Sequence, residues 1–203
     1  FLAAVKEGPG TKLAFRLRGK KYDCKMDDEF NLQSVSSDTS LTAPLVFAGY
    51  GITADSLQYD DYAGLDVKEK IVLVLRSTPE GSKNDSRFAK HAPLMVKVFT
   101  AREHGAAGRI LITGPIDAES PKLISFEYPQ SANSGIAVMS MRWDVLDSLV
   151  FGKKNSTATL QQTLNNTKKP SSFIVDDAEA EMQTQVVKEY GTSSNILGVI
   201  EGN

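Results

Sequence analysis

A run of five aliphatic residues at positions 71–75 (IVLVL) restricts the fold of this chain more than any other feature. An antiparallel strand with one wet face alternates polar and apolar residues, whereas a run with no polar position is typical of a strand buried on both faces. Lys70 and Arg76 bound the run and mark where burial ends. The pattern therefore predicts the central strand of a covered sheet. The preceding residues 59–64 (YDDYAG) predict a loop, because acidic residues and glycine favour turns.

A helix and further apolar runs follow in an order that predicts parallel pairing. Leu94, Val98 and Ala101 share one stripe at helical spacing, with a proline before it and a glycine after it, as is typical of helix ends. Residues 109–113 (RILIT) and 136–139 then form short apolar runs. Strand, helix and strand in succession predict a right-handed βαβ crossover and hence a parallel pair. Two more helices are expected at residues 143–150 and 155–166.

Both ends of the chain show the alternation of antiparallel strands. Apolar residues alternate over 13–17 and again over 22–26 around Gly19, which predicts a hairpin. A strand within residues 43–52 breaks at Gly49 and Gly51, where the backbone can turn sharply or approach another segment. Residues 31–42 are polar and rich in Ser and Thr, so we expect a linker or surface loop. Further strands are expected at 173–175, 180–186 and 195–200.

Composition argues against several classes of partner. Lys and Arg number 23 against 25 Asp and Glu, so nothing in the charge favours nucleic acid or an anionic membrane surface. The apolar runs fall short of the roughly 20 residues that a membrane helix needs.

Cys24 is the only cysteine, which excludes an internal disulfide and a thiolate zinc site, and we expect it to be a half-buried apolar residue. Because the chain begins at Phe1 without an initiator Met and ends at Asn203 directly after an apparent strand, we expect a piece of a longer protein, and the lack of a visible signal peptide carries little weight.

The sequence contains few of the residues that catalytic or metal sites require. There is no G-x-S-x-G motif, and His91 and His104 are the only histidines, without H-E-x-x-H spacing. His104 falls at the end of the predicted helix, where a cation complements the helix dipole. Asp60 and Asp61 could act as an acid–base pair or bind calcium, but adjacent side chains point apart and Asp is common in turns, so we favour a loop role. We therefore predict no catalytic, cofactor-binding or metal residue in this chain.

Three segments resemble one family in their order and spacing. Residues 43–52 (APLVFAGYGI), 59–75 (YDDYAGLDVKEKIVLVL) and 101–112 (AREHGAAGRILI) resemble a protease-associated (PA) domain. The version they resemble is inserted into secreted zinc aminopeptidases related to glutamate carboxypeptidase and the transferrin receptor. The likeness covers roughly residues 43–150. Two positions depart from the family pattern, Glu69 where Gly is frequent and Ala137 where Pro is frequent, and neither is incompatible with the fold.

The resemblance implies an α/β fold of the swivelling β/β/α type. It has a small mixed or parallel central sheet, flanking helices and additional antiparallel strands at both ends. We divide the chain into an N-terminal β-hairpin and polar linker at 1–42, a PA-like core at 43–170, and C-terminal strands at 171–203. These last strands would lead back toward a peptidase domain that is absent from this chain.

The resemblance also implies a non-catalytic accessory domain, extracellular or periplasmic, that gates or shapes substrate access. Its expected partners are the parent peptidase domain and a peptide or protein substrate. Zinc is expected in that peptidase domain and not here. The predicted contact surface consists of Tyr50, Tyr59, Asp60, Asp61, Tyr62, Arg87, Phe88 and His91. The alternative is that the tyrosines pack the domain's own loop.

Two other functions remain open at this stage. One is a protein-binding PA module of a subtilisin-like protease or a sorting receptor, which the residues encoded after Asn203 would distinguish. The other is a swivelling domain that carries a phosphohistidine, for which His91 is the only suitable position.

Overall fold

The computed structural model describes residues 2–118, 120–126, 133–152 and 155–192. The helices are α1 (Leu94–Glu103), α2 (Trp143–Leu146), which continues as a π-helical turn (Asp147–Phe151), and α3 (Thr157–Thr167), with short 3₁₀ turns at Asp55–Leu57 and Ala89–His91. The strands are β1 (Leu2–Glu7), β2 (Lys12–Leu17), β3 (Lys20–Asp23), β4 (Phe30–Leu32), β5 (Thr39–Phe47), β6 (Thr53–Ala54), β7 (Tyr59–Asp60), β8 (Ile71–Leu75), β9 (Gly108–Ile112), β10 (Ala137–Met141), β11 (Phe173–Thr184) and β12 (Val186–Tyr190).

One mixed sheet of eight strands forms the centre of the domain, in the order β3-β2-β11-β5-β8-β9-β10-β4. Strand β8 lies in its interior, parallel to β5 on one side and to β9 on the other. All five residues of β8 have 0% exposure. The prediction of a central strand covered on both faces, in parallel register with the strand after α1, is confirmed.

The two faces of the sheet are covered by different helices. Val72 and Val74 of β8 pack in one cluster with Val98 of α1. The residues that alternate with them, such as Leu73, pack in a larger cluster with Leu164 of α3. Successive side chains of a strand point to opposite faces, so an unbroken aliphatic run is what a sheet between two apolar layers requires. The mixed α/β class predicted from the sequence is confirmed.

The ends of the chain extend the sheet with antiparallel strands. The predicted hairpin is β2 and β3, and β2 also pairs with β11. Strand β11 is continuous over twelve residues, with an irregularity between Ile174 and Glu179, and its other edge pairs with β5. Strands β1 and β12 form a separate two-stranded ribbon. The large sheet thus contains strands from all three segments of the predicted division, and the expected strand at 195–200 lies outside the described residues.

The prediction of a polar linker at residues 31–42 is wrong. The segment contains part of β4, which pairs with β10, and the start of β5. Gln33 is buried and its amide donates to the carbonyl of Ile124 at 3.1 Å and to Ser140 Oγ at 3.2 Å. Ser36 Oγ accepts the Val138 N–H at 3.0 Å. These polar side chains replace water for neighbouring backbone groups, so a polar composition did not indicate exposure here.

Candidate functional site

The loop between β5 and β8 folds around one buried carboxylate. Asp61 is 1% exposed, and its Oδ2 accepts the backbone N–H groups of Tyr50 at 3.0 Å and Ile52 at 3.1 Å. Its Oδ1 accepts the hydroxyl of Tyr59 at 2.9 Å. Gly49 has φ +47°, and a Cβ there would lie 2.3 Å from Asp61 Oδ1. Asp61 therefore ties both arms of the loop together, and only glycine fits beside it.

The environment of Asp61 shifts its titration. Burial raises the pKa of Asp61 to about 7, although the hydrogen bonds from Ile52 and Tyr59 and the charge of Lys97 oppose the rise. Burial, together with the adjacent Asp61, also raises the pKa of Tyr59, which therefore remains a hydrogen-bond donor at neutral pH. Both oxygens of the carboxylate are occupied by the domain's own donors, so Asp61 acts as an anchor of the loop.

Asp60 and His104 meet at the surface of the same loop through a threonine. Thr53 Oγ1 donates to Asp60 Oδ1 at 2.9 Å and lies 3.1 Å from His104 Nε2. The imidazole of His104, directly after α1, stacks on the ring of Tyr62 at 4.3 Å between centroids. In a hydrolytic triad the imidazole lies between hydroxyl and carboxylate. Here the hydroxyl lies between the other two groups, so the contact fastens the loop to the end of α1.

The second predicted contact segment, residues 87–91, packs against this loop. The ring of Phe88 is 2% exposed and lies edge-on to Tyr59, with centroids 5.1 Å apart. Arg87 is exposed and forms an ion pair with Glu80, with Nη2 2.6 Å from Oε1. His91 is half-buried in a 3₁₀ turn, and burial lowers its pKa.

The expectation that the whole set offers exposed anchors is wrong for five of the eight residues. Tyr50, Tyr59, Asp61, Tyr62 and Phe88 are each between 0% and 3% exposed. They pack the domain's own loop, which was the alternative, because the loop folds back over the ends of β5 and β8. Asp60, Arg87 and His91 retain exposed atoms, and their role in binding stays a prediction.

A cavity of about 420 Å³ lies beside α1 and β9, and two buried cations line it. Arg109 of β9 has 0% exposure and Lys97 of α1 has 1%. The ammonium of Lys97 donates to the carbonyl oxygens of Leu75 at 3.1 Å and Ser77 at 2.5 Å. Arg109 Nη1 donates to the carbonyl oxygen of Leu94 at 3.3 Å. Burial lowers the pKa of Arg109 to about 10 and the pKa of Lys97 well below its usual value.

Sequence reasoning missed both cations, although each left a signal. Lys97 stands three residues after Leu94 and four before Ala101, which places it on the stripe predicted to be buried. Arg109 lies within β9, whose five positions are all buried. A charged residue on a buried stripe or within a doubly covered strand is uncommon. Such residues mark either an internal anchor or a ligand site.

The surroundings of Cys24 disfavour the reactive thiolate form of its side chain. Cys24 is half-buried, and burial, with the nearby carboxylates Glu29 and Asp23, raises the pKa of its thiol to about 12. Among the described residues, no group of three His, Cys, Asp or Glu side chains is placed to hold a metal ion. No helix in the described part of the chain is long and apolar enough to cross a membrane.

The family to which the chain belongs is identified by comparing its sequence with models of known domain families. The model of the PA domain family matches residues 41–142, which span β5 to the end of β10 and include the Asp61 loop and both buried cations. The chain belongs to the PA domain family. The resemblance drawn from the three segments is therefore confirmed, and the match begins within β5.

Solved structures similar to this PA domain include aminopeptidases. The zinc aminopeptidase BSAP from Bacillus subtilis is 18% identical, with 91% of this chain and 32% of that chain covered and a TM-score of 0.43. An aminopeptidase from Aneurinibacillus sp. strain AM-1 is 21% identical, with 95% and 37% covered and a TM-score of 0.46. A peptidase M28 precursor from Shewanella amazonensis SB2B is 14% identical, with 93% and 39% covered and a TM-score of 0.43.

The chain spans between 32% and 39% of the length of these structures. No curated protein sequence matches the chain.

Proposed function

We propose that this PA domain is a non-catalytic accessory domain of a secreted or periplasmic zinc aminopeptidase, where it gates or shapes substrate access. The observation that carries the proposal is the family match over residues 41–142, together with the YDDY, DVKEKIVLV and AREHGAAG segments in the order typical of that group. Zinc would be held by the peptidase domain of the parent protein.

The architecture supports a role in contacts with a peptide or protein. Loops held on a rigid scaffold are where binding surfaces concentrate. The hydrogen bonds to Asp61 hold the β5–β8 loop in place, and the exposed tip of this loop carries Asp55, Ser56 and Gln58. Of the predicted contact residues, Arg87 is exposed, and Asp60 and His91 are partly exposed. These polar groups, and not the buried tyrosines, are the proposed contact points.

The first test uses the full-length protein from which this chain comes. We expect aminopeptidase activity on aminoacyl-nitroanilides that is lost with a chelator and restored by zinc. The 203-residue chain alone should hydrolyse none of these substrates under the same conditions. Chelator-sensitive turnover by the chain alone would refute the non-catalytic role. A serine-protease signature or a membrane span in the full protein would favour the PA module of a subtilisin-like protease or sorting receptor.

The second test measures the gating role in the same full-length enzyme. Replacing Asp55 and Gln58 by Ala should alter KM for peptides while leaving kcat for a small nitroanilide unchanged, because only the longer substrate reaches the loop tip. The matched control is Lys188→Ala, an exposed position on β12. If peptide and nitroanilide kinetics respond equally to the loop changes, the domain does not shape substrate access through this loop.

A further inference from the structure

The cavity beside α1 combines buried positive charge with apolar walls. Lys97 and Arg109 line its inner part, whereas Arg76, which is exposed, lines its outer part. Leu111 and Ile124 contribute hydrocarbon to the same walls. Its volume of about 420 Å³ falls within the range of small-molecule sites. Among the described residues that line the cavity none is acidic, so the electrostatics of the cavity favour an anion.

The donors of Arg109 are only partly used by the protein. Its Nη1 donates to the Leu94 carbonyl, but Nε and Nη2 have no hydrogen-bond partner among the described residues. An unpaired buried donor costs free energy, and more so when it belongs to a charged group. A guanidinium presents its donors in a planar fork that matches the two oxygens of a carboxylate. The two free donors are thus of the type that a bidentate anion satisfies.

Lys97 adds a second positive charge without a direct counter-ion. Two of its three donors go to neutral carbonyl oxygens, which leaves one donor for a ligand. The acidic groups whose charge influences Lys97 are Asp61 and Asp117, and the described residues contain no ion pair from Lys97 or Arg109 to either. Asp61 is occupied by loop donors, and Asp117 by Ser77 and Gln161. The ammonium of Lys97 also lies over the ring of Tyr50, 5.4 Å from its centroid, so the chain compensates this charge through a ring face and two more distant carboxylates but not through a direct ion pair among the described residues.

We propose that this cavity binds the carboxylate of a small organic acid with an apolar side chain, through Arg109 and Lys97. The apolar walls take up the side chain, and the buried side chain of Gln33 also lines the cavity. A carboxylate with an apolar side chain suits the site better than an inorganic anion, because Leu94, Leu111 and Ile124 offer hydrocarbon contacts that an inorganic anion cannot use. The inference rests on this chain's own side chains and does not depend on the proposed parent enzyme.

The test titrates the ¹⁵N-labelled chain with N-acetyl-leucine and with its uncharged analogue N-acetyl-leucinamide. We expect saturable amide shifts with the acid at residues around Lys97, Arg109 and Leu111, and none with the amide. A tripeptide that ends in a free leucine, titrated in parallel, distinguishes a peptide C-terminus from a free acid as the source of the carboxylate. Equal shifts with acid and amide, or no saturable shift with any carboxylate up to about 10 mM, would overturn the proposal.

The variants Arg109→Met and Lys97→Met test the two cations separately. Each should weaken binding of the acid about ten- to hundredfold, since a charge-assisted hydrogen bond is lost. Lys90→Met is the matched control, because Lys90 is exposed and does not line the cavity, and it should bind like the wild type. Unchanged binding in both cavity variants, or tighter binding of inorganic phosphate than of the acid, would contradict the assignment.

Stability measurements keep the test valid if a variant folds poorly. Lys97→Met removes a buried charge but leaves the carbonyl oxygens of Leu75 and Ser77 without their donor, so we expect this variant to remain folded and to melt below the wild type. Independently, N-acetyl-leucine at saturating concentration should raise the melting temperature of the wild type, and the amide should not. A wild-type melting temperature that responds to neither compound would also refute the site.

Discussion

The substitution Gly49→Ala tests whether the Asp61 carboxylate holds the β5–β8 loop. A methyl group at this position would lie 2.3 Å from Asp61 Oδ1 and 2.8 Å from its Cγ, distances that real contacts do not reach. Because the side chain of Asp61 is buried on all sides, it cannot move away without breaking its hydrogen bonds to Tyr50, Ile52 and Tyr59. The added methyl group should therefore break all three hydrogen bonds through which Asp61 holds the loop.

The expected magnitude follows from two contributions. A non-glycine residue at positive φ costs about 1 kcal/mol. Breaking three buried hydrogen bonds at about 1–1.5 kcal/mol each adds roughly 3–5 kcal/mol. The sum of about 4–6 kcal/mol is a large part of the roughly 5–15 kcal/mol that stabilises a domain. In a chain of this length each kcal/mol shifts the melting temperature by about 2–4 °C, so we expect a fall of about 8–24 °C.

Gly64→Ala provides the matched control. Gly64 also has positive φ, at +70°, but a Cβ there meets nothing within 4 Å. It should cost only the conformational contribution, about 1 kcal/mol, and lower the melting temperature by about 2–4 °C. Both variants can be followed by circular dichroism in urea and on heating. Equal losses of stability in the two variants would show that Asp61 does not restrict position 49. That result would refute the role of Asp61 as the anchor of the loop.

Three further predictions concern the same core and loop. Val72→Asp should abolish folding, since an unpaired carboxylate between two apolar layers costs several kcal/mol, and near wild-type melting would show that β8 is not central. Asp60→Asn should change the free energy of unfolding by less than about 1 kcal/mol, because both hydrogen bonds to this side chain go to Oδ1, which asparagine keeps. The raised pKa of Asp61 stabilises the fold fully below about 3.8, and this contribution is lost as the pH rises through about 7. The wild type should therefore lose up to about 4 kcal/mol relative to Asp61→Asn between pH 4 and pH 8 in urea unfolding, and parallel pH profiles would contradict the shift.

Periodicity in the sequence predicted the central sheet because local pattern and burial coincide there. The run at 71–75 has no polar position, and the helix between β8 and β9 carries its apolar stripe at regular spacing. Such patterns depend only on which face of an element is covered. The parallel pairing of β8 with β9 followed from the crossover between them. The central strands and α1 could therefore be predicted without knowing which distant residues they contact.

Exposure in the loops did not follow from the sequence, because it depends on contacts between distant segments. Residues 31–36 look like a linker, yet Gln33 is buried by residue 124 and Ser36 by strand β10. The Asp-Asp pair reads as a surface turn, yet Asp61 turns inward to backbone groups nine and eleven residues earlier. A short polar side chain serves solvent and buried backbone equally well. Only the three-dimensional arrangement decides between them.

Asp61 and Arg109 are both buried charged residues, but they differ in how fully the chain satisfies their hydrogen bonds. Asp61 has both oxygens occupied by donors of its own loop, so its burial is fully explained by structure. Arg109 is buried as deeply, yet two of its donors have no partner among the described residues, and it lines a cavity. Natural domains leave few buried polar atoms unpaired, and a bound ligand or ion is one of the explanations for an atom that remains unpaired. The same burial therefore indicates an internal anchor at Asp61 and a binding site at Arg109.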